Sequence, residues 1–129
     1  MQNFYLAPTR TTFEIKFDQE KNILEFKGKS YPSNAFEFFK PIIIWIEEYL
    51  TMVNQTTVKV YFQVNYFNTS SSKYLFEVLE LFNQYYQKDV DLNFFWVCEK
   101  GVDDIFETWK EMMHELDMPF EIIHNYNCN

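Results

Sequence analysis

The chain has 129 residues with a formal net charge of −8, and it is 47% hydrophobic and 21% aromatic. That apolar content excludes intrinsic disorder for most of the chain, and the length suits one domain over residues 1–129 with a real hydrophobic core. Gly occurs only at Gly28 and Gly101, too few for a glycine-rich phosphate loop or a dinucleotide fingerprint.

Residues 1–10 read as a lead-in, with Pro8 holding Ala7 extended. Thr12–Phe17 alternates with period two, apolar at Phe13, Ile15 and Phe17, which predicts a strand with one buried face. The polar turn 18–22 leads into a second strand, Ile23–Tyr31, and the two form a hairpin. Asn34 with Glu37 three residues on has the form of a capping box, and Phe38, Phe39, Ile42, Ile43, Ile46, Tyr49 and Leu50 follow at helical spacing. Pro41 interrupts this pattern and implies either a kink or a helix restarting there. Thr56–Phe67 is the strongest strand. Val58, Val60, Phe62, Val64 and Tyr66 fall in one register, and Lys59, Tyr61, Gln63, Asn65 and Phe67 in the other. Apolar residues in both registers predict a central strand. A helix over 71–87 buries Leu75, Val78, Leu79, Phe82 and Tyr86. Val90–Cys98 is a further strand, followed by a helix carrying Ile105, Trp109, Met112, Met113 and Leu116 on one face, and a short strand at Phe120–His124. The order β-β-α-β-α-β-α-β predicts an α/β fold: parallel crossovers after an opening hairpin give a mixed sheet covered by three helices.

The charge is unevenly placed. Residues 1–88 hold nine basic and nine acidic side chains, whereas residues 89–121 hold ten acids against Lys100 and Lys110. An acidic surface repels phosphate backbones and anionic lipid, so neither nucleic acid nor a membrane surface is expected as a partner. The longest apolar run, Pro41–Ile46, is far too short to insert in a membrane, and no N-terminal run resembles a signal peptide. Cytoplasmic location is expected. Cys98 and Cys128 form no C-x-x-C pair, so both are expected as free thiols, Cys98 buried in a strand. His114 and His124 lack ligand spacing, and no EF-hand loop is present, so no metal or cofactor site is expected. The acids of 99–121 leave open a small metal-dependent enzyme, and a constitutive scaffold subunit is a third possibility.

One segment departs from its surroundings: Tyr66-Phe67-Asn68-Thr69-Ser70-Ser71-Ser72-Lys73. Four consecutive hydroxyl residues sit where the central strand hands over to a helix. A helix start needs one capping side chain, not four hydroxyls. Phosphorylation is the alternative. It would add about −1.5 to −2 charges and three acceptor oxygens with little change of fold.

This segment, with Ala7-Pro8-Thr9, Thr12–Ile15, Gly28–Phe39 and Pro119–Ile122, resembles the SiaC-like regulatory phosphoproteins of bacteria, small domains with a STAS-like fold. The similarity covers essentially the whole chain. It implies a non-enzymatic switch. The phosphoacceptor falls on Thr69, or on Ser70 if the register differs by one. Tyr66, Phe67, Asn68, Ser71, Ser72 and Lys73 are the implied partner-binding residues. The resemblance further implies a cognate Ser/Thr kinase, a PP2C-type phosphatase, and a diguanylate cyclase that the unmodified form binds and activates, a link to cyclic-di-GMP and biofilm control.

Overall fold

Six strands and three helices follow in chain order in the computed structural model, which describes residues 1–124. Strands β1 (Phe4–Leu6), β2 (Glu14–Asp18) and β3 (Ile23–Ser30) precede helix α1 (Ala35–Met52). Strand β4 (Val58–Phe67), helix α2 (Thr69–Tyr86), strand β5 (Leu92–Val97), helix α3 (Asp103–Glu115) and strand β6 (Glu121–Ile123) complete the order. The sheet runs β1-β2-β3-β4-β5-β6, antiparallel over the first three strands and parallel from β3 to β6. The expected hairpin, parallel crossovers and three helices are all present.

Every crossover advances the sheet in the same direction. Crossovers of one hand that never reverse put their helices on the same side. Burial follows: Val58, Val60, Phe62 and Val64 of β4 are fully buried, whereas Lys59, Tyr61, Gln63 and Asn65 keep some exposure. The helix-covered face holds the core, with Phe26 stacked on Phe62 (ring centroids 4.8 Å apart) and Trp96 against Trp109 (4.9 Å). The opposite face is open. There Tyr61 stacks on Phe95 at 4.9 Å, and Gln63 donates to Glu99.

Strand β1 was not foreseen. Three residues carry no readable alternation, and their place is set from outside. Phe4 stacks on Phe17 (5.9 Å) and meets Trp45 (6.2 Å), while the Trp45 indole N–H donates to the carbonyl of Gln2 at 2.9 Å. Helix α1 begins as expected, with Asn34 Oδ1 accepting from the Glu37 amide at 3.1 Å. It runs through Pro41 as one helix rather than restarting there. Pro41 is solvent-facing, where water can meet the carbonyl that its ring leaves without an N–H donor. Trp45 joins the buried stripe predicted for this helix.

The hairpin turn is locked by Asn22, which adopts a left-handed backbone (φ 58°) and accepts from the Tyr49 hydroxyl at 2.6 Å. Burial, then the nearby Asp18 charge, pushes the Tyr49 phenol up to about 12. Cys98 differs from expectation: it follows the end of β5, is half-buried, and is disulfide-bonded rather than a free thiol. Cys128 lies outside the described residues.

Candidate functional site

The hydroxyl-rich segment occupies the C-terminal end of β4 and the first turn of α2. Its geometry depends on a bulge. Strands β3 and β4 pair in step up to Gly28 opposite Val64, then Lys29 pairs with Tyr66, so Asn65 is an extra residue. Gly28 has φ +99°, a conformation that side chains other than hydrogen strain to adopt. The extra residue reverses the facing of everything after it. Phe67 turns into the core at 6% exposed and Tyr66 turns outward at 43%, which inverts the grouping expected from strict alternation.

The bulge also delivers Asn68 to the helix start. Its backbone N–H donates to the carbonyl of Ser30 at 3.1 Å, continuing the ladder by one bond. Its side-chain Oδ1 accepts from the Ser71 amide at 2.9 Å, and its carbonyl accepts the first helical bond, from Ser72 at 2.8 Å. Asn68 is thus the cap, and α2 starts at Thr69, two residues before the predicted start. The cap satisfies the third amide of the helix. The amides of Thr69 and Ser70, the first two residues, have no acceptor among the described residues.

The four hydroxyls separate by position. Thr69 and Ser70 are exposed, Ser72 is half-buried, and Ser71 is fully buried. The Ser71 hydroxyl forms a 2.8 Å hydrogen bond with that of Ser30, also fully buried, and so ties the first turn of α2 to the end of β3. Phe67 and Ser71 are therefore buried. Of the six residues named for partner binding, these two lie beneath the surface that the others form. Asn68 is half-buried and engaged as the cap, whereas Tyr66 and Lys73 are exposed.

Aromatic side chains that sequence reasoning left out lie on the elements that adjoin the start of α2. Tyr31, immediately after β3, meets Tyr66 edge-on at 6.0 Å. Phe36, in the first turn of α1, meets Tyr74 of α2 at 6.2 Å, and Tyr74 stacks on the buried Phe39 at 5.9 Å. Phe36 is 51% exposed and Tyr31 37%. A single large apolar side chain at a helix start carries no functional signal alone, and only the juxtaposition of three elements reveals the group.

The acids of 99–121 do not converge in this way. Asp103 and Asp104 lie in the first turn of α3, where the helix dipole favours them, and Lys110 pairs with Glu107 at 3.8 Å. Among the described residues, no three His, Cys, Asp or Glu side chains are grouped to hold a metal ion. A depression of about 470 Å³ lined by Asn54–Thr57 and Lys88–Asp91 lies among the loops that enter β4 and β5, at the opposite end of β4 from Thr69. No helix of the described residues is long and apolar enough to cross a membrane.

The model of the SiaC family of regulatory phosphoproteins matches residues 6–125. An uncharacterised protein of Pseudomonas aeruginosa strain UCBPP-PA14 is 27% identical over 122 residues, 95% of this chain and 96% of that protein. The crystal structure of apo-SiaC from Pseudomonas aeruginosa superposes with a TM-score of 0.85 at 27% identity, covering 95% of this chain and 99% of that one. SiaC in a crystal structure of the diguanylate cyclase SiaD in complex with its activator SiaC, from the same organism, superposes with a TM-score of 0.84 at 26% identity and the same coverage. With its six-stranded mixed sheet, three helices and a family match over nearly its whole length, this chain belongs to the SiaC family of regulatory phosphoproteins.

Proposed function

We propose that this chain, acting as one unit over residues 1–129, is a non-enzymatic binding module that phosphorylation of Thr69 switches off. In its unmodified form it binds and activates a diguanylate cyclase, a cognate Ser/Thr kinase adds the phosphate, and a PP2C-type phosphatase removes it. Nucleotide-dependent partners of this kind place it in the cytoplasm. The observation that carries the reading is the position of Thr69: exposed and first in α2, with the exposed rings of Tyr31, Tyr66 and Phe36 on the elements that adjoin the helix start. A kinase can reach the hydroxyl without unfolding anything. The phosphate would lie at the positive end of the helix dipole, near the amides that lack acceptors, so the fold tolerates it. The rings nearby are the kind of surface that a partner covers, and the new charge falls beside them. Ser70 shares the exposure and is the alternative acceptor, while buried Ser71 is not accessible to a kinase in the folded state.

The test is phosphopeptide mass spectrometry of chain isolated with its kinase, together with capture of the cyclase by wild type, Thr69→Ala and Thr69→Glu. Phosphate on Thr69, its loss in Thr69→Ala, and weakened capture by Thr69→Glu with an unchanged circular-dichroism spectrum are expected. Phosphate confined to residues outside 69–72 would falsify the site.

A further inference from the structure

We infer that the surface around Thr69 receives an acidic amphipathic segment of its partner, and that Lys73 is the lysine which a phosphate on Thr69 withdraws from that segment. This inference rests on the switch reading above and names the chemistry of the partner.

The chain as a whole is strongly acidic, but this end of it is not. Two segments build the surface. Residues 28–40 contain Lys29, Lys40 and Glu37, and residues 66–74 contain Lys73 and no acid, so together they carry a formal charge of +2 in a chain of −8. All three lysines are exposed. Among the described residues, none of them forms an ion pair with a carboxylate.

The ammonium groups are interleaved with the rings. Lys40 Nζ lies 5.7 Å from the centre of the Phe36 ring, and Lys73 Nζ lies 5.5 Å from that of Tyr74. Lys29 pairs across the ladder with Tyr66. Lys40 and Lys73 therefore hold their ammonium groups over rings with no carboxylate partner, and Lys29 sits opposite Tyr66 on the same end of the ladder. A complementary partner needs apolar side chains for the rings and carboxylates for the rim, the composition of an acidic amphipathic segment. Nucleic acid is the other polyanion to weigh. Its binding needs many phosphate contacts, and a net +2 inside a −8 chain supplies too few.

The position of Lys73 links this surface to the switch. It lies four residues after Thr69, one turn along the same face of α2. A phosphate at Thr69 brings about −1.5 to −2 charges, enough to cancel the local excess. It attracts Lys73 directly and repels a carboxylate-bearing partner. The switch acts by charge at the surface rather than by refolding.

The probes are two fluorescent synthetic peptides with the same leucine face, one with Glu on the polar face and one with Lys. They are titrated into unmodified chain, chain carrying phosphothreonine at 69, and the variants Lys73→Gln and Lys40→Gln/Lys73→Gln. The acidic peptide is expected to bind the unmodified chain, with NMR shifts clustered at Tyr31, Phe36, Tyr66 and Tyr74. Its affinity is expected to fall by about tenfold or more in the double variant, a change of one electrostatic contact or two. Equal binding of the two peptides, no binding of the acidic one, shifts centred elsewhere, or an unaffected double variant overturns the proposal. Phosphothreonine should weaken the acidic peptide less in Lys73→Gln than in wild type, and an equal loss in both removes Lys73 from the switch. Lysine-dependent binding that phosphothreonine leaves unchanged would overturn the switch reading and keep the surface. Cyclase capture lost on phosphorylation, with no lysine dependence, would do the reverse.

Discussion

The hydroxyl pair of Ser30 and Ser71 gives the sharpest test of how the first turn of α2 is held. Both side chains are fully buried and 2.8 Å apart, and they join residues 41 positions apart in the chain. Changing Ser71 to Ala removes the bond and leaves the Ser30 hydroxyl buried without a partner. Losing the bond while stranding the remaining hydroxyl costs about 1–3 kcal/mol, against about 1 kcal/mol for the net bond itself. We expect each single variant, Ser30→Ala or Ser71→Ala, to lose about 2 kcal/mol. The double variant strands nothing and should lose only about 1 kcal/mol, so the coupling between the sites is about 3 kcal/mol. For a chain of this size, each single change should lower the Tm by roughly 6–10 °C. Urea and thermal unfolding of all four proteins, followed by far-ultraviolet circular dichroism, complete the cycle. A double variant whose loss equals the sum of the singles would refute the pairing. Singles within about 0.5 kcal/mol of wild type would show that the hydroxyls find other partners at no cost.

Two further outcomes concern Gly28 in β3 and Tyr49 in α1. Gly28→Ala should cost about 1–3 kcal/mol, because its φ of +99° strains any Cβ although the space around it is open. Denaturant unfolding measures this, and a neutral result would mean the bulge does not depend on glycine. Tyr49 predicts an alkaline loss of stability. Its phenol is raised from the usual 10 to about 12 by burial, so the folded state holds this proton more tightly than the unfolded chain. The contribution is fully present below pH 10 and is lost as pH rises through 12. Absorbance titration at alkaline pH should show a late tyrosine component, to which Tyr5, raised by its hydrogen bond to Glu14, also contributes, and that component should shrink in Tyr49→Phe; an unchanged late component would assign it elsewhere.

What the sequence revealed was local chemistry. The caps at Asn34 and Asn68 depend on residues within one turn, although only the first was read as a specific cap. The inward positions Phe13, Ile15 and Phe17 follow from period two alone, and the buried face of α3 from the helical period. What stayed hidden was set by partners distant in sequence. The bulge that exposes Tyr66 is a property of β4 against β3, and Gly28 was its only trace. β1 exists because Trp45, some forty residues later, receives it. The assignment of Thr69 over its neighbours needed the family resemblance, and the structure adds only which hydroxyls are exposed. Ser71 lies in the same run as Thr69, and nothing local separates the buried hydroxyl from the exposed one.

The strand order has a consequence for how the chain is assembled. Each strand joins the edge laid down just before it, so none has to be inserted between two neighbours already paired. A chain emerging from the ribosome therefore presents its strands in the order in which the sheet uses them. The pairing of β3 with β4, the bulge and the first turn of α2 are all encoded before residue 89. The acidic third is made afterwards, and it joins an electrically neutral sheet whose hydroxyl-rich segment has already been translated.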